Sequence, residues 1–375
     1  MASGDFIWVE TPQGLEELGA ELRSASIHAL DSESNSGFAY NEKLCLLQFQ
    51  VNGKFWLVDL TVFLGMEAAL DPLWPALESN DTITILHGGE FDVGCFRRDF
   101  GLQLGGVWDT QQAASLLGWE KTGYGAVVGR VCSVELSKAH AYFDWGRRPV
   151  PQEALEYAVD DVRYLLQVEE KLRLEVESAD IVEEVRIASE AVMESTWNGG
   201  YEPDGFWKVK GAPKLDAEAL LRLAALYRWR DSVARRIDAP PGRVLNNRSL
   251  LALSRRSRLR LDDLKKLGVP GRIRSERGKE LLRVLTSSFS DVGELPAAPV
   301  QRIVSVNERR LDGRLRDWRT IEAQRRGVVQ QVVLPSRALR HLAREGTSSL
   351  EGVPQLGAKR IALYGKQLQR LESDL

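Results

Sequence analysis

Residues 44–59, LCLLQFQVNGKFWLVD, leave few folds open. Two apolar runs, 44–51 and 54–59, flank Asn52-Gly53, and this dipeptide supplies the two positive-φ positions that a tight hairpin turn requires. The chain therefore commits to an antiparallel strand pair here. Shorter apolar runs at 27–32 and 82–87 read as two more strands, and helical periodicity covers 62–78, 91–99, 109–118 and 152–174. Strands mixed with helices in this order predict an α/β domain whose sheet is mixed and antiparallel at its first strands.

Strands stop near residue 196. The segment 198–214, NGGYEPDGFWKVKGAPK, reads as a linker whose aromatics can pack on a neighbour, and everything beyond is helical with polar breaks. That rear half repeats itself. VLNNRSLLALSRR (244–256) is echoed by VLPSRALRHLARE (333–345), and RGKELLRVL (277–285) by YGKQLQRL (364–371). A long helix with an apolar stripe precedes each copy: Leu220, Leu223, Tyr227 and Ile237 in the first, Ile303, Leu311, Leu315 and Trp318 in the second. Two copies of a helical module of about 80 residues account for the pattern.

Charge divides along the same line. The chain of 375 residues carries a net charge of −3, yet residues 1–170 hold 11 basic against 26 acidic side chains, while residues 207–375 hold 36 against 18. An acidic front suits cations, and an Arg-rich rear suits a polyanion. Three scattered cysteines argue against a disulfide framework, and His28, His87, His140 and His341 lack the spacing of zinc ligands. No signal-like segment and no run of the ~20 apolar residues needed to span a bilayer is present, which predicts a cytoplasmic chain without membrane contact.

The acids of the front half fall in suggestive places. Asp31 and Glu33 stand two apart at the end of the first predicted strand, so both side chains share one face. Asp92 opens a helix after His87 and two glycines, in HGGEFDVGCFRRDFG. Tyr157 and Asp161 lie four apart on a helix face that also carries Leu165 and so points inward. Just upstream, DWGRRPV places Trp145, Arg147 and Arg148 where they would either stack on a base or pin the loop.

Taken in order, D-x-E on a strand, an Asp after H-G-x-x-F, and Y-x-x-x-D on a helix resemble the DEDD 3′→5′ exonucleases of the DnaQ-like superfamily, Tyr variety. LDSES, WDTQQAASLLG, DWGRRPV and LEYAVDDVRYLL are similar, in their order, to the ribonuclease D family over about residues 5–195, and the repeated modules resemble HRDC domains. The resemblance implies an RNase H-like/DnaQ-like exonuclease domain over 1–196, a linker over 197–214, and HRDC domains over 215–291 and 298–375. It also implies Asp31, Glu33, Asp92 and Asp161 as metal ligands, with Asp31 shared between two ions and Tyr157 orienting the attacking water. Lys138 matches a family lysine and, with Trp145, Arg147 and Arg148, is a candidate substrate contact. Two departures stand out: Ser34, where the family often has Phe, and Ser32 for the usual Thr, a change expected to matter little because the hydroxyl is kept.

This residue set has a chemical reason. Phosphodiester hydrolysis brings hydroxide to an anionic phosphate and must stabilise the leaving 3′ oxygen; two Mg²⁺ or Mn²⁺ ions about 4 Å apart serve both ends, and such hard cations take carboxylate oxygens. The resemblance thus implies a monomeric 3′→5′ exoribonuclease that releases nucleoside 5′-monophosphates from structured RNA with a single-stranded 3′ end, tRNA precursors foremost. Two other readings stay open at this stage: a DNA 3′→5′ exonuclease, because 2′-OH contacts are invisible in sequence, and an inactive nucleic-acid-binding scaffold, which the presence of all four acids disfavours.

Overall fold

The computed structural model describes residues 6–137, 139–286, 298–299 and 302–373. A sheet of six strands forms its front: β1 (Ile7–Val9), β2 (Ile27–Ser34), β3 (Leu44–Val51), β4 (Lys54–Asp59), β5 (Ile83–Leu86) and β6 (Gly106–Asp109), in the order β1-β4-β3-β2-β5-β6. Strand β3 is antiparallel to both neighbours, and every other pairing is parallel. Its near-continuous apolar sequence fits this central place, where both faces are covered. Asn52 and Gly53 adopt φ of 49° and 75° at the hairpin, as their dipeptide requires. The short β1 and β6 were not expected from the sequence; strands of three and four residues carry too little alternation to register.

Strand β2 outruns its apolar stretch. Its ladder with β5 covers only Ile27↔Ile83 to Ala29↔Ile85, but its ladder with β3 continues through Asp31↔Gln48 and Glu33↔Leu46 to Ser34↔Leu44. The acidic pair therefore stands where the strand has a neighbour on one side.

One face of the sheet is packed by the helices Pro12–Ser24 and Glu90–Phe100, whose Leu15, Leu18, Leu22, Val93 and Phe96 meet Leu30, Leu47, Phe49 and Val51. The other face takes the helices Gln152–Arg163 and Leu165–Ser178, with Ala154, Ala158 and Val159 against Leu46 and Leu57, and Val162 and Leu165 against Ala29 and Ile85. The sequence predicts one helix over 152–174, but it breaks at Tyr164 (φ −106°, ψ −4°), with no Gly or Pro to mark the place. The helix predicted over 62–78 is instead three short turns, Leu60–Phe63, Glu67–Leu73 and Trp74–Leu77, interrupted around Gly65 and Pro72.

The two helical modules repeat in three dimensions. Helices Ala217–Arg236, Pro241–Val244, Asn247–Ser254 and Gly271–Thr286 correspond to Val306–Arg326, Gln330–Val333, Ser336–Glu345 and Ala358–Ser373. The likeness extends to polar contacts inside the cores. Arg230 Nη1 donates to the Leu245 carbonyl at 3.1 Å and to Asn247 Oδ1 at 2.8 Å; Arg319 Nη1 donates to the Leu334 carbonyl at 3.2 Å and to Ser336 Oγ at 3.4 Å. Trp229 Nε1 bonds Glu280 and Trp318 Nε1 bonds Gln367 in the same way. Ile303, expected on the second apolar stripe, precedes its helix and is 91% exposed.

The chain forms two compact units. One holds residues 1–34, 44–197 and 303–375, the other 35–43 and 198–302. Within the first, Val332 of the second module is buried in a cluster with Val128, Leu172 and Val185, and Lys359 bonds Asp180 and, through its backbone N–H, Glu183 at 2.9 Å. Within the second, Phe206, Val209 and Ala212 are buried in the core of the first module, so 205–214 is packed chain, and Tyr40 donates to Asp231 at 2.7 Å.

Arg230 and Arg319 each donate from within a module core to a backbone carbonyl that truncation would leave without this donor, so Arg230→Ala and Arg319→Ala should each cost about 1–3 kcal/mol. The measurement is the urea midpoint of each variant; a shift in one and none in the other would show that the two arginines are not equivalent.

Candidate metal centre

A cleft of about 290 Å³ is lined by Asp31, Ser32, Glu33, Ser34, His87, Phe91, Asp92, Tyr124, Tyr157 and Asp161. All five residues that the sequence nominated as its chemical core meet there. Asp31 and Glu33 leave β2 on the face covered by the Gln152–Arg163 helix, which contributes Asp161, and oxygens of these three carboxylates lie within 4.8 Å of one another. Asp92 arrives from the first turn of the Glu90–Phe100 helix. It lies outside that tight trio and accepts a hydrogen bond from the Ser32 hydroxyl. Ser32 thus positions the fourth acid, so the residue expected to matter little has a defined task.

The turn that launches Asp92 is held by the two glycines of its motif and by Asp109, which the sequence did not single out. Gly88 has φ 69°, and a Cβ there would lie 2.7 Å from Gln111 Oε1, so only glycine fits without displacement. Asp109, fully buried at the end of β6, accepts from Gly89 N at 2.9 Å and caps the next helix through Gln112 N at 2.9 Å. Asp109 lies in the WDTQQAASLLG motif; its buried cap was the missed signal. His87 bonds Thr110 Oγ1 through Nδ1 at 2.8 Å, and burial lowers its pKa to about 4, so the imidazole is neutral.

The electrostatics are lopsided. Burial, followed by the charges of Asp92, Asp161 and Glu33, pushes the Asp31 carboxyl well above the usual carboxylate range. Glu33 is raised by burial and by Asp161 and Asp92. Burial also raises Asp92, against the pull of the Ser32 hydrogen bond. Asp161 rises to about 7, driven by burial and by Asp160 and Asp92, while the Tyr157 hydrogen bond opposes the rise. Tyr157 is itself pushed up by burial and by the acids around it, so its hydroxyl stays protonated and donates. The described residues lining the cleft include no lysine or arginine. Clustered carboxylates without a protein cation fit hard divalent ions, which is the test this site passes.

The candidate substrate contacts divide. Trp145 is 2% exposed and packs in the core beside Tyr157, so it cannot stack on a base. Arg148 is consumed by the fold: it pairs with Asp59 and donates to the carbonyls of Trp145 at 2.7 Å and Cys45 at 3.0 Å. Both pin the loop, a correction with a plain cause, since a guanidinium bonded on every edge has nothing left for phosphate. Arg147, with a side chain 77% exposed and 3.3 Å from Asp144, remains open to solvent. Lys138 lies outside the described residues.

Comparison with known proteins agrees with this architecture. A family model described as 3′-5′ exonuclease matches residues 6–177, and the HRDC domain model matches 219–285 and 308–371. The chain is 31% identical over 249 residues to ribonuclease D of Xanthomonas oryzae pv. oryzae, spanning 66% of this chain and 67% of that one. It is 27% identical over 248 residues to exosome complex component 10 of Rattus norvegicus, 64% of this chain and only 28% of that protein. Among solved structures, Escherichia coli RNase D superposes with a TM-score of 0.70 at 23% identity, covering 98% of this chain and 99% of that one. A Bifidobacterium adolescentis protein reaches 0.78 at 22% identity, covering 99% and 97%. These structural likenesses establish the fold. The fold and the cleft define a 3′-5′ exonuclease domain of the DnaQ-like type joined to HRDC modules. Within that class, the chain belongs to the ribonuclease D family.

With metal chelated, the proton that Asp161 holds favours the folded state. That contribution is fully present below the ordinary carboxylate pKa near 4 and is lost as pH rises through about 7. Asp161→Asn should therefore melt higher than the wild type at pH 8 in chelator, with the advantage vanishing near pH 4; thermal scans across that range measure it.

Proposed function

We propose that this chain is a divalent-metal-dependent 3′→5′ exoribonuclease that trims structured RNA from a single-stranded 3′ end, tRNA precursors included. The reading rests on one observation: Asp31, Glu33 and Asp161 crowd within 4.8 Å in a cleft whose described residues include no basic side chain, on a domain matching the 3′-5′ exonuclease family. Asp31, Glu33, Asp92 and Asp161 would hold Mg²⁺ or Mn²⁺, which when bound supplies an activated water and charge stabilisation for the leaving 3′ oxygen. Asp31 feels all three other acids and suits a shared ligand position. Tyr157, held protonated, orients the water by donation and does not act as the base. Ser32 keeps Asp92 in place.

RNA affinity is assigned to exposed arginines. Arg255, Arg256, Arg258 and Arg260 of the first module are exposed, and their guanidinium groups make no ion pair among the described residues. Other arginines of the basic half are engaged internally: Arg316 with Asp312, Arg272 with Glu276, Arg277 with Glu280, and Arg319 within the core. Net basic charge therefore overstates the phosphate-binding surface, and the 255–260 cluster is its strongest part.

Asp31→Asn should abolish cleavage of a 3′-overhang RNA and also the rise in melting temperature on adding Mg²⁺ or Mn²⁺. Turnover close to wild type would remove the assignment. Tyr157→Phe should lower kcat by about 10²–10³, the size of a missing oriented donor. A matched DNA overhang run beside the RNA decides between the ribonuclease and the deoxyribonuclease reading.

Replacing Arg255, Arg256, Arg258 and Arg260 with Ala should weaken RNA binding and flatten its salt dependence. The slope of log K against log salt should fall by about 0.7 for each phosphate that the substitutions leave without its arginine. Fluorescence anisotropy at several salt concentrations gives the slope, and an unchanged slope would move the RNA surface elsewhere.

A further inference from the structure

A second cavity lies apart from the acidic cleft, inside the first compact unit. It has a volume of about 380 Å³, is lined by residues of both the nuclease portion and the second module, and shares no lining residue with the cleft that holds Asp31. Glu184, Ile187, Ala188 and Ala191 reach it from one face of the helix Val182–Met193, as their three- and four-residue spacing dictates. From the second module come Pro335 and, on the helix Ser336–Glu345, Arg340.

The lining changes character from floor to mouth. Glu184 is 1% exposed, and only one of its two oxygens is matched. Oε2 stands 3.4 Å from Lys359 Nζ, whereas the buried Oε1 meets no hydrogen-bond donor among the described residues. A buried carboxylate oxygen without a donor is costly, and this one belongs to a residue that borders open space. The neighbouring Arg360 cannot supply the donor, because its guanidinium is committed to the carbonyls of Gln331, Val332, Gln355 and Leu356. Ile187, Ala188, Ala191 and Pro335 provide apolar wall. At the mouth Arg340 is exposed and its guanidinium makes no ion pair among the described residues, while Arg337, one turn earlier, is taken by Glu194 at 2.9 Å.

A matching ligand carries an N–H donor at one end, a flat apolar body and an anion at the other end. We infer that this cavity binds a nucleoside 5′-monophosphate whose base bears an exocyclic amino group. The amino group donates to Glu184 Oε1, the ring lies along the apolar wall, and the phosphate takes the open guanidinium of Arg340. A base with a carbonyl in place of that amino group sets oxygen against oxygen and leaves Glu184 unmatched. The inference goes beyond the exonuclease reading: it concerns a molecule of the kind that reaction releases, held at a site separate from the carboxylates that perform it.

The test uses CMP and UMP, whose bases differ in presenting an amino group or a carbonyl at the same ring position. Calorimetric titration of the full chain is run in EDTA, which removes the cations that the acidic cleft needs to hold a phosphate. CMP should bind more tightly than UMP by roughly 10-fold or more, the size of a donor lost opposite a charged acceptor. Arg340→Ala should weaken CMP by roughly 3- to 10-fold, as an exposed charge contact does. Glu184→Gln should bring the CMP to UMP ratio close to one, because an amide can turn either an oxygen or an N–H to the base. Thermal scans check that each variant folds; should Glu184→Gln fail to fold, the wild-type ratio and the exposed Arg340→Ala still decide. No binding of CMP in EDTA, equal binding of the two nucleotides, or binding unchanged in Arg340→Ala overturns the site. The exonuclease reading stands in each case, since no turnover is measured. Binding that appears only when Mg²⁺ is restored places the nucleotide in the acidic cleft and overturns the second site as well.

Discussion

Like-charge crowding is the constraint on which the site depends. Asp31, Glu33 and Asp161 are brought within 4.8 Å, and Asp92 adds a fourth acid close enough to raise the proton affinity of Asp31. Such a cluster opposes folding at neutral pH until protons or external cations neutralise it. The surrounding fold is built to hold it regardless. Strand β2 runs past its pairing with β5, so that two acids emerge with β3 on one side only, and the Gln152–Arg163 helix clamps Asp161 over them through Ala154, Ala158, Val159 and Val162. Stability is given up at the centre and supplied by the packed faces of the sheet, the division expected where a site is preorganised for charge.

The loop before that helix shows how a motif that looks like substrate recognition can be structural. Arg148 joins Asp59 at the end of β4 to the carbonyls of Cys45 and Trp145, and Trp145 is buried beside Tyr157. The clamp fixes the entry to the helix that bears Tyr157 and Asp161. It therefore serves the chemistry indirectly, by holding the groups that act. Phosphate recognition has to be sought among the arginines that the fold leaves unused.

The helical repeats carry the same lesson. Arg230 and Arg319 occupy equivalent places and bond equivalent carbonyls, so part of the positive charge of the rear half is internal wiring. The modules have nonetheless diverged in use. The second is buried through Val332 in a cluster with residues of the nuclease portion and held there by Lys359, which makes it part of the same compact unit. The first keeps an exposed cluster at Arg255, Arg256, Arg258 and Arg260.

Sequence alone determined the hairpin at Asn52-Gly53, the mixed character of the sheet, the duplication of the helical module, and the acids Asp31, Glu33, Asp92 and Asp161 with Tyr157. Most of these are written in local pattern, as a turn dipeptide, a two-residue or four-residue spacing, or an internal echo; Asp92 was picked out only by the order of motifs shared with a known family. Tertiary structure alone decided the break at Tyr164, the burial of Trp145 and Arg148, the anchoring of Asp92 by Ser32, and the exposure of Phe91 beside the acids. Those features depend on which distant segment lies opposite, and a side chain's neighbours across 60 residues of sequence, as between Ser32 and Asp92, leave no periodic trace in the chain.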